Sequence, residues 1–160
     1  LLSKGCYQLS PRMYISLDTE EFENLVIQAK GSKEKGARYE QYLKKAILLY
    51  KEGFAVGWYD TWTDDFRRHF QGLYEDCLGM IASLCVANNK LKDAIVWYRK
   101  LLSVDFYNEE YHRKLMKAYS QMGRYKEIVK AFEQLKKVLK KELGVQPQEK
   151  TVDLYKSIIK

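Results

Sequence analysis

The segment Ile81–Leu102 reads IASLCVANNKLKDAIVWYRKLL, and the segment Leu115–Lys136 reads LMKAYSQMGRYKEIVKAFEQLK. The two segments align without a gap at an offset of 34 residues. Each has apolar residues at helical spacing, then a short polar break, then a second helical stripe. Each segment therefore predicts two helices joined by a turn. A single pair of this kind leaves one apolar face uncovered, so the repeat predicts that successive pairs stack on one another.

The offset between the two segments equals the period of the tetratricopeptide repeat, which is about 34 residues. An earlier unit is predicted by a third match, in which Leu43, Ala46 and Tyr50 correspond to Leu91, Ala94 and Tyr98 at an offset of 48 residues, 14 more than the other two segments show. The sequence therefore predicts an all-α fold, a tetratricopeptide-like right-handed stack of helix-turn-helix units with about seven helices. An ordinary helical bundle whose spacing coincides by chance is the alternative.

Helical patterns continue on both sides of the repeat. Upstream, Asp18 followed by Glu21 resembles a capping box and predicts the start of the first helix. The remaining helices are predicted near residues 39–50, 62–87, 91–103, 109–121, 125–143 and 147–159. The helix over residues 62–87 is the longest, and its apolar stripe begins with Trp62 and Phe66.

The first 17 residues have a different pattern. Apolar and polar residues alternate on both sides of Ser10-Pro11-Arg12, as expected for two strands joined by a turn. Two isolated strands are only marginally stable in water. We therefore expect a hairpin that either ends a preceding domain or caps the helices.

Composition excludes several classes of protein. With 46% hydrophobic and 31% charged residues, and only 9 Gly and 2 Pro, the chain is typical of a soluble globular domain. Its longest apolar runs, such as Ala46–Tyr50, are far too short to cross a membrane, so we expect a cytoplasmic protein. Cys6, Cys77 and Cys85 lack metal-ligand spacing and are predicted to be reduced packing residues.

Catalytic chemistry has little support in the sequence. His69 and His112 are the only histidines, neither has a second ligand three or four residues away, and no glycine-rich phosphate loop is present. We therefore predict no catalytic residue, no metal site, no cofactor and no enzyme activity. His112 is expected to form a hydrogen bond with a neighbouring turn. The acidic pairs Asp64-Asp65 and Glu109-Glu110 occupy first turns of helices, where negative charge is stabilised by the helix dipole.

Two motifs resemble the bacterial transcriptional activator domain of regulators of the Streptomyces antibiotic regulatory protein type. They are the stretch Glu-x-x-His-Arg-x-Leu-Met-x-Ala-Tyr over residues 109–119 and Leu-Gly-Val-x-Pro over residues 143–147. In such regulators the domain follows a winged-helix DNA-binding domain whose last hairpin closes on Gly-x-Tyr-x-Leu. The segment Gly5-Cys6-Tyr7-Gln8-Leu9 is similar. Phe106, where a proline often follows the aspartate, departs from the family pattern. Ile128, where the repeat favours a small residue, departs from the repeat pattern.

The resemblance implies a division of the chain and a function. Residues 1–17 would be the hairpin remnant of a winged-helix domain, and residues 18–160 the tetratricopeptide-like activator domain. The domain would regulate transcription by binding a protein, either the transcription machinery or another domain of the same regulator, while DNA is read by the mostly absent N-terminal domain. Homodimer formation stays open. The alternatives are a stand-alone tetratricopeptide adaptor that binds a peptide or protein, and a helical enzyme.

Two surfaces are candidate binding sites. The first helix of each tetratricopeptide unit lines a groove, which predicts partner contacts at Asp76, Ser83, Arg113, Lys117 and Gln121. The net charge of +7 is concentrated between Arg113 and Lys141. A stripe of lysines there predicts phosphate contacts at Lys126, Lys130, Lys137 and Lys141. For both surfaces, side chains that are merely solvated are the alternative.

Overall fold

The computed structural model describes residues 2–3, 6–7, 16–50 and 53–160. Seven α-helices account for most of these residues: α1 Asp18–Gly31, α2 Ala37–Leu49, α3 Thr61–Ala87, α4 Leu91–Val104, α5 Glu109–Gln121, α6 Tyr125–Val138 and α7 Glu149–Ile159. A π-helical turn, Leu139–Leu143, continues α6 directly. Gly144 ends this turn in the left-handed conformation, at φ 69°, which glycine adopts without steric cost. The predicted all-α fold is confirmed for residues 16–50 and 53–160.

Two short strands precede the helices. The strands β1 Leu2–Ser3 and β2 Cys6–Tyr7 pair antiparallel. The hairpin predicted around Ser10-Pro11-Arg12 has its turn outside the described residues, and Ser16 and Leu17 belong to no strand. That hairpin therefore stays a prediction.

The helices stack in sequence order. The pairs α1–α2, α3–α4 and α5–α6 each pack together, and α2–α3 and α4–α5 contacts join one pair to the next. Helix α7 packs against α5 and α6 at the end of the stack. Three helix pairs and a closing helix are thus the arrangement that the repeat predicts.

The repeated positions lie in the core. Matched residues of the two repeats, Ala94 and Ile128, Tyr98 and Phe132, and Leu101 and Leu135, are all buried. Burial of both members of these three pairs is what a shared helical register requires. The alignment of the two segments is therefore confirmed by packing.

The long helix α3 is not buried along its whole stripe. Trp62 and Phe66 begin the predicted apolar stripe, yet they are 55% and 50% exposed. Helix α3 has 27 residues, whereas α4 has only 14 and covers the C-terminal half of its neighbour. The first turns of α3 therefore extend beyond the helix that covers the rest.

The predicted capping box is wrong. Helix α1 begins at Asp18 itself, after Leu17, which offers no side-chain cap. The Asp18 carboxylate instead accepts a hydrogen bond from the adjacent Thr19 amide at 2.8 Å. Asp18, Glu20 and Glu21 all lie in the first turn, where they oppose the positive end of the helix dipole.

Ala94→Leu is expected to lower the free energy of unfolding by about 1–3 kcal/mol, because extra methylene groups must fit where α4 packs between α3 and α5. Ala94 is 0% exposed. Urea unfolding would measure the change. The slope of the unfolding free energy against urea concentration should stay the same. Val96→Leu, on the exposed side of the same helix, is the control and should change stability by less than about 0.5 kcal/mol. Equal midpoints for Ala94→Leu and the wild type would contradict the packing of α4 between its neighbours.

Candidate partner-binding groove

The first helices of successive units are joined directly. The Tyr111 hydroxyl of α5 donates a hydrogen bond to Glu75 Oε2 of α3 at 3.0 Å. The other carboxylate oxygen of Glu75 accepts from the side-chain amide of Gln71 at 3.1 Å. Burial raises the pKa of Tyr111, and the hydrogen bond to Glu75 raises it further. Tyr111 therefore stays protonated and holds α5 beside α3, a contact that sequence reasoning missed.

On α3, two predicted groove residues are exposed. Asp76 Oδ2 accepts from Lys30 Nζ of α1 at 2.6 Å, and about half of each side chain is open to solvent. Such an exposed ion pair contributes little to stability, so a ligand's charge can compete for either partner. Ser83 Oγ donates to the Gly79 carbonyl at 2.8 Å within the helix.

On α5, the three predicted groove residues differ in environment. Lys117 and Gln121 are exposed and lie one turn apart on the same face. Arg113 is half-buried, and its Nη1 donates to Thr151 Oγ1 at 2.8 Å and to Gln148 Oε1 at 3.3 Å. The guanidinium group of Arg113 is therefore engaged by α7, while Lys117 and Gln121 face solvent.

The start of α7 is held by two residues of the Glu-x-x-His-Arg motif. Glu109 is buried, and both of its carboxylate oxygens accept from the backbone N–H of Gln148, at 3.0 and 2.9 Å. Arg113 binds the fully buried Thr151 one turn further along. The motif thus positions α7 on α5, a role that helical spacing within α5 does not indicate.

His112 belongs to the same motif. It is only 3% exposed. Its Nε2 lies 2.8 Å from the Phe106 carbonyl oxygen, and the two rings meet edge to face at 4.9 Å. A carbonyl oxygen only accepts, so Nε2 carries the proton and Nδ1 is left as an acceptor. Burial lowers the pKa of His112, although the bond to Phe106 acts in the opposite direction. The predicted hydrogen bond to a neighbouring turn is confirmed.

Acidification is expected to destabilise the protein in part through His112. The unfolded chain takes up a proton at the ordinary pKa of about 6.5, whereas the folded chain resists it. The contribution of neutral His112 is therefore fully present above that value and is lost as the pH falls toward the lowered folded pKa. The carboxylates of Asp105 and Glu109 reduce the effect by favouring the protonated form.

The measurement is urea unfolding of the wild type and of His112→Gln between about pH 7.5 and 5.5. The free energy of unfolding of the wild type should fall more steeply, by at most about 1.4 kcal/mol per pH unit, the limit for one titrating group. Glutamine keeps a donor for the Phe106 carbonyl and removes the titration. If the unfolding free energy fell equally with pH in the two proteins, His112 would not resist protonation in the folded state.

The predicted lysine stripe is exposed throughout. Lys126, Lys130 and Lys137 lie on α6, and Lys141 lies in the π-helical turn. No ion pair engages any of the four within the described ranges. Because a π-helical turn is wider than an α-helical one, α-helical spacing no longer relates Lys141 to the other three. The stripe along α6 thus consists of Lys126, Lys130 and Lys137.

The cysteines and the acidic pairs of the helices are structural. Cys77 and Cys85 are buried and free, and burial raises the pKa of the Cys77 thiol to about 12. Asp64 pairs with Arg67 at 2.6 Å and Glu110 with Lys114 at 2.7 Å. Within the described part of the chain, no three His, Cys, Asp or Glu side chains are grouped so that they could hold a metal ion.

A second surface, which sequence reasoning missed, lies where the chain enters α1 and α3. Trp58 and Tyr59 precede α3, and with Trp62 and Phe66 of its first turns they are at least half exposed; we call these four residues the aromatic end. Leu17, the residue before α1, lines one depression together with Phe66. Large exposed apolar groups that lie together mark interaction surfaces. In the described residues, no helix is both long and apolar enough to cross a membrane.

Comparison with known proteins agrees with this architecture. The family model of the bacterial transcriptional activator domain matches residues 17–159, which confirms the resemblance seen in the motifs. Among solved structures, the C-terminal TPR-containing domain of a Plasmodium falciparum FK506-binding protein is similar, with a TM-score of 0.52 and 18% identity over 90% of this chain and 91% of that one. At this identity the likeness shows the fold alone. No curated protein matches the sequence.

Proposed function

The chain belongs to the bacterial transcriptional activator domain family, and from this premise we propose that it is the helical regulatory and protein-interaction domain of a DNA-binding transcription regulator. In this proposal a winged-helix domain, of which residues 1–17 are the last hairpin, reads the DNA. The helical domain binds the transcription machinery or another domain of the same regulator, works in the cytoplasm and catalyses no reaction.

The exposed side chains of the first helices support a protein-binding role. Lys117 and Gln121 are open to solvent on α5, and the Tyr111–Glu75 bond holds α5 next to α3, which contributes the exposed Asp76. A protonated amine and a side-chain amide can hold the carboxylates and backbone groups of a peptide through hydrogen bonds. The single observation that carries the proposal is the solvent-exposed face of α5 beside α3, in a helical domain of an activator family.

The aromatic end supports contact with a DNA-binding domain. Phe66 lines a depression with Leu17, and Trp62 meets Phe66 edge to face at 6.2 Å. A domain preceding α1 would therefore be close to both aromatic rings. Burial of half-exposed aromatic side chains stabilises interfaces strongly, because each removes a large apolar area from water. The two surfaces therefore serve two partners, one at the aromatic end and one in the groove.

Promoter activation by the full-length regulator tests the groove. Lys117→Ala with Gln121→Ala should leave stability within about 0.5 kcal/mol of the wild type, because both side chains are exposed, yet should reduce activation. Arg113 is left unchanged because its loss would release α7. Lys45→Ala with Gln41→Ala, an equally spaced exposed pair on α2, is the control. Normal activation at normal abundance of the groove variant would exclude the groove, and equal loss in both variants would exclude its specific role.

Titration of labelled duplexes tests how the domain meets DNA. At about 150 mM salt the chain alone should bind no tighter than roughly micromolar and without sequence preference. If the lysine stripe contacts phosphates, Lys126→Gln with Lys137→Gln should lower the salt slope of that binding by about two. Sequence-specific binding tighter than micromolar would contradict the proposal that a separate domain reads DNA. The alternative, a stand-alone adaptor with the same groove, predicts peptide binding without any effect on a promoter.

A further inference from the structure

An apolar depression of about 480 Å³ lies at the end of the stack, between the start of α6 and the end of α7. Its apolar lining comes from Tyr125 and Val129 of α6 and from Ile158 and Ile159 of α7; we call it the α6–α7 depression. Ile158 is half-buried, and the other three side chains are exposed. Large apolar side chains that are exposed next to one another are typical of interaction surfaces.

The matching surface of the preceding unit is covered. At the repeat offset of 34 residues, Val129 of α6 corresponds to Ile95 of α4, and Tyr125 corresponds to Leu91. Ile95 is 4% exposed, whereas Val129 is 37% exposed. Leu91 is half-buried, whereas Tyr125 is exposed. Because α4 and α6 each pack on the first helix of their own unit, the difference arises from the helix that follows each of them.

The two following helices cover their neighbours to different extents. Helix α5 packs closely on α4, whereas α7 packs mainly on α5 and stacks Tyr155 on Phe132, two turns beyond Tyr125 on α6. The start of α6 is therefore covered less closely than the start of α4. A helix with an apolar stripe, laid over the depression, would cover Tyr125 and Val129 as the matching residues of α4 are covered.

The charge around the depression is positive. Lys126 and Lys160 line it, and Lys156 is exposed one turn before Lys160. Among the residues that the structure describes, no carboxylate side chain lines it, and the neighbouring Glu127 is paired with Arg124 at 2.5 Å. The start of α6 and the end of α7 contribute dipole ends of opposite sign, so the lysines set the local charge.

This combination of an apolar floor and a basic rim selects one kind of occupant. In a symmetric dimer the same surfaces of two copies meet, so the lysines of one depression would face those of the other and repel them. A DNA backbone would engage the lysines but leave the four apolar side chains in water. A helix that carries both an apolar stripe and flanking carboxylates satisfies both features.

We propose that the α6–α7 depression binds an acidic amphipathic helix of a protein partner. The apolar stripe of that helix lies on the four apolar residues, and its carboxylates lie beside Lys126 and Lys160. The depression shares Lys126 with the lysine stripe, so a bound helix and DNA phosphates compete for that side chain. It shares no residue with the groove or the aromatic end, and it adds a third contact surface to those of the proposed function.

The test is a titration of the isotope-labelled chain with three synthetic peptides, followed through the amide shifts of residues around the depression. Each peptide has about 18 residues, long enough to form a helix in part by itself. The acidic probe carries a stripe of leucines flanked by glutamates on an alanine background. The basic probe has lysine in place of every glutamate, and the scrambled probe has the composition of the acidic probe without the stripe.

We expect the acidic probe to saturate with a dissociation constant of about 0.2 mM or tighter. The basic probe loses the ion pairs and meets like charge, and the scrambled probe loses the apolar contact. Each of these two probes should therefore bind at least about tenfold more weakly than the acidic probe.

A pair of apolar substitutions places the binding in this depression. Tyr125→Ser with Ile159→Ser removes exposed apolar surface and should weaken binding of the acidic probe at least about tenfold. Ile27→Ser with Val96→Ser is the matched control, because both residues are exposed and lie on α1 and α4. The control should leave the dissociation constant unchanged. Thermal unfolding establishes that each variant is folded.

A pair of lysine substitutions tests the charge. Lys126→Gln with Lys160→Gln should weaken binding of the acidic probe about threefold to tenfold, the effect of losing two exposed ion pairs. Lys33→Gln with Lys92→Gln removes the same charge from two other exposed positions, and Lys92 occupies the repeat position of Lys126. This control should have the smaller effect, because it leaves both lysines of the depression in place.

Four results would overturn the proposal. The first is absence of saturable shifts around the depression up to about 2 mM of the acidic probe, roughly tenfold beyond the expected dissociation constant. The second is equal affinity for the acidic probe and either of the other two. The third is equal binding by a substituted pair and its control. The fourth is a set of concentration-dependent shifts at the depression without peptide, which would identify a second copy of the chain as the occupant. None of these results bears on the groove, because promoter activation tests that surface separately.

Discussion

Replacing Phe132 with alanine is expected to lower the free energy of unfolding by about 3–5 kcal/mol, the cost of deleting a buried aromatic ring. Phe132 lies on α6 and is 6% exposed. Its ring stacks on Tyr155 of α7, with centroids 4.0 Å apart and planes inclined by 6°. The substitution therefore leaves a cavity in the last helix pair and also removes the main aromatic contact that holds α7.

Urea unfolding measures the loss of unfolding free energy. The slope of that free energy against urea concentration should not change. Tyr59→Ala is the matched control, because it removes an aromatic side chain that is almost wholly exposed, and it should change stability by less than about 0.5 kcal/mol. A small, equal cost for both substitutions would mean that α7 does not pack on α6 in solution. A smaller slope together with a lower midpoint would indicate that α7 detaches before the rest of the stack unfolds.

Ile128→Ala is expected to cost about 2–5 kcal/mol, because removing three buried carbon atoms leaves a cavity that the surroundings fill only in part. Ile128 is 0% exposed and occupies the same repeat position as Ala94. At Ala94, α4 packs between α3 and α5, and the methyl group is wholly buried. At Ile128, α6 packs on α5 and less closely on α7, so a larger side chain fills the space.

The unfolding midpoint again measures the effect, and Val129→Ala on the partly exposed side of α6 is the control, with an expected cost below about 1 kcal/mol. Together with Ala94→Leu, the two substitutions test one repeat position in opposite directions. If Ile128→Ala left the unfolding free energy unchanged, Ile128 would lie on the surface. The register of α6 in the stack would then be wrong.

How far the fold follows from the sequence can be judged from α4, α5 and α6. Their apolar residues recur at helical spacing and again at the repeat offset, so the spacing alone placed Ala94, Tyr98 and Leu101 in the core and predicted both ends of α5. This succeeds because helical periodicity is local, and because a stacked repeat buries the same position in each unit. The exposure of Trp62 and Phe66 could not be predicted, since it depends on how far a neighbouring helix reaches along α3.

The sequence by itself determined the helices, their order and the faces that are buried, because these depend on residues a few positions apart. Only the tertiary structure decided what lies opposite each face. Arg113 meets Thr151 and Glu109 meets Gln148 across separations of 38 and 39 residues, and the tertiary packing of α4, α5 and α6 leaves His112 Nδ1 without a hydrogen-bond partner beside a cavity. Helical spacing defines the direction of a side chain relative to its own axis, whereas its partner depends on the distance and rotation between helices that no local pattern records.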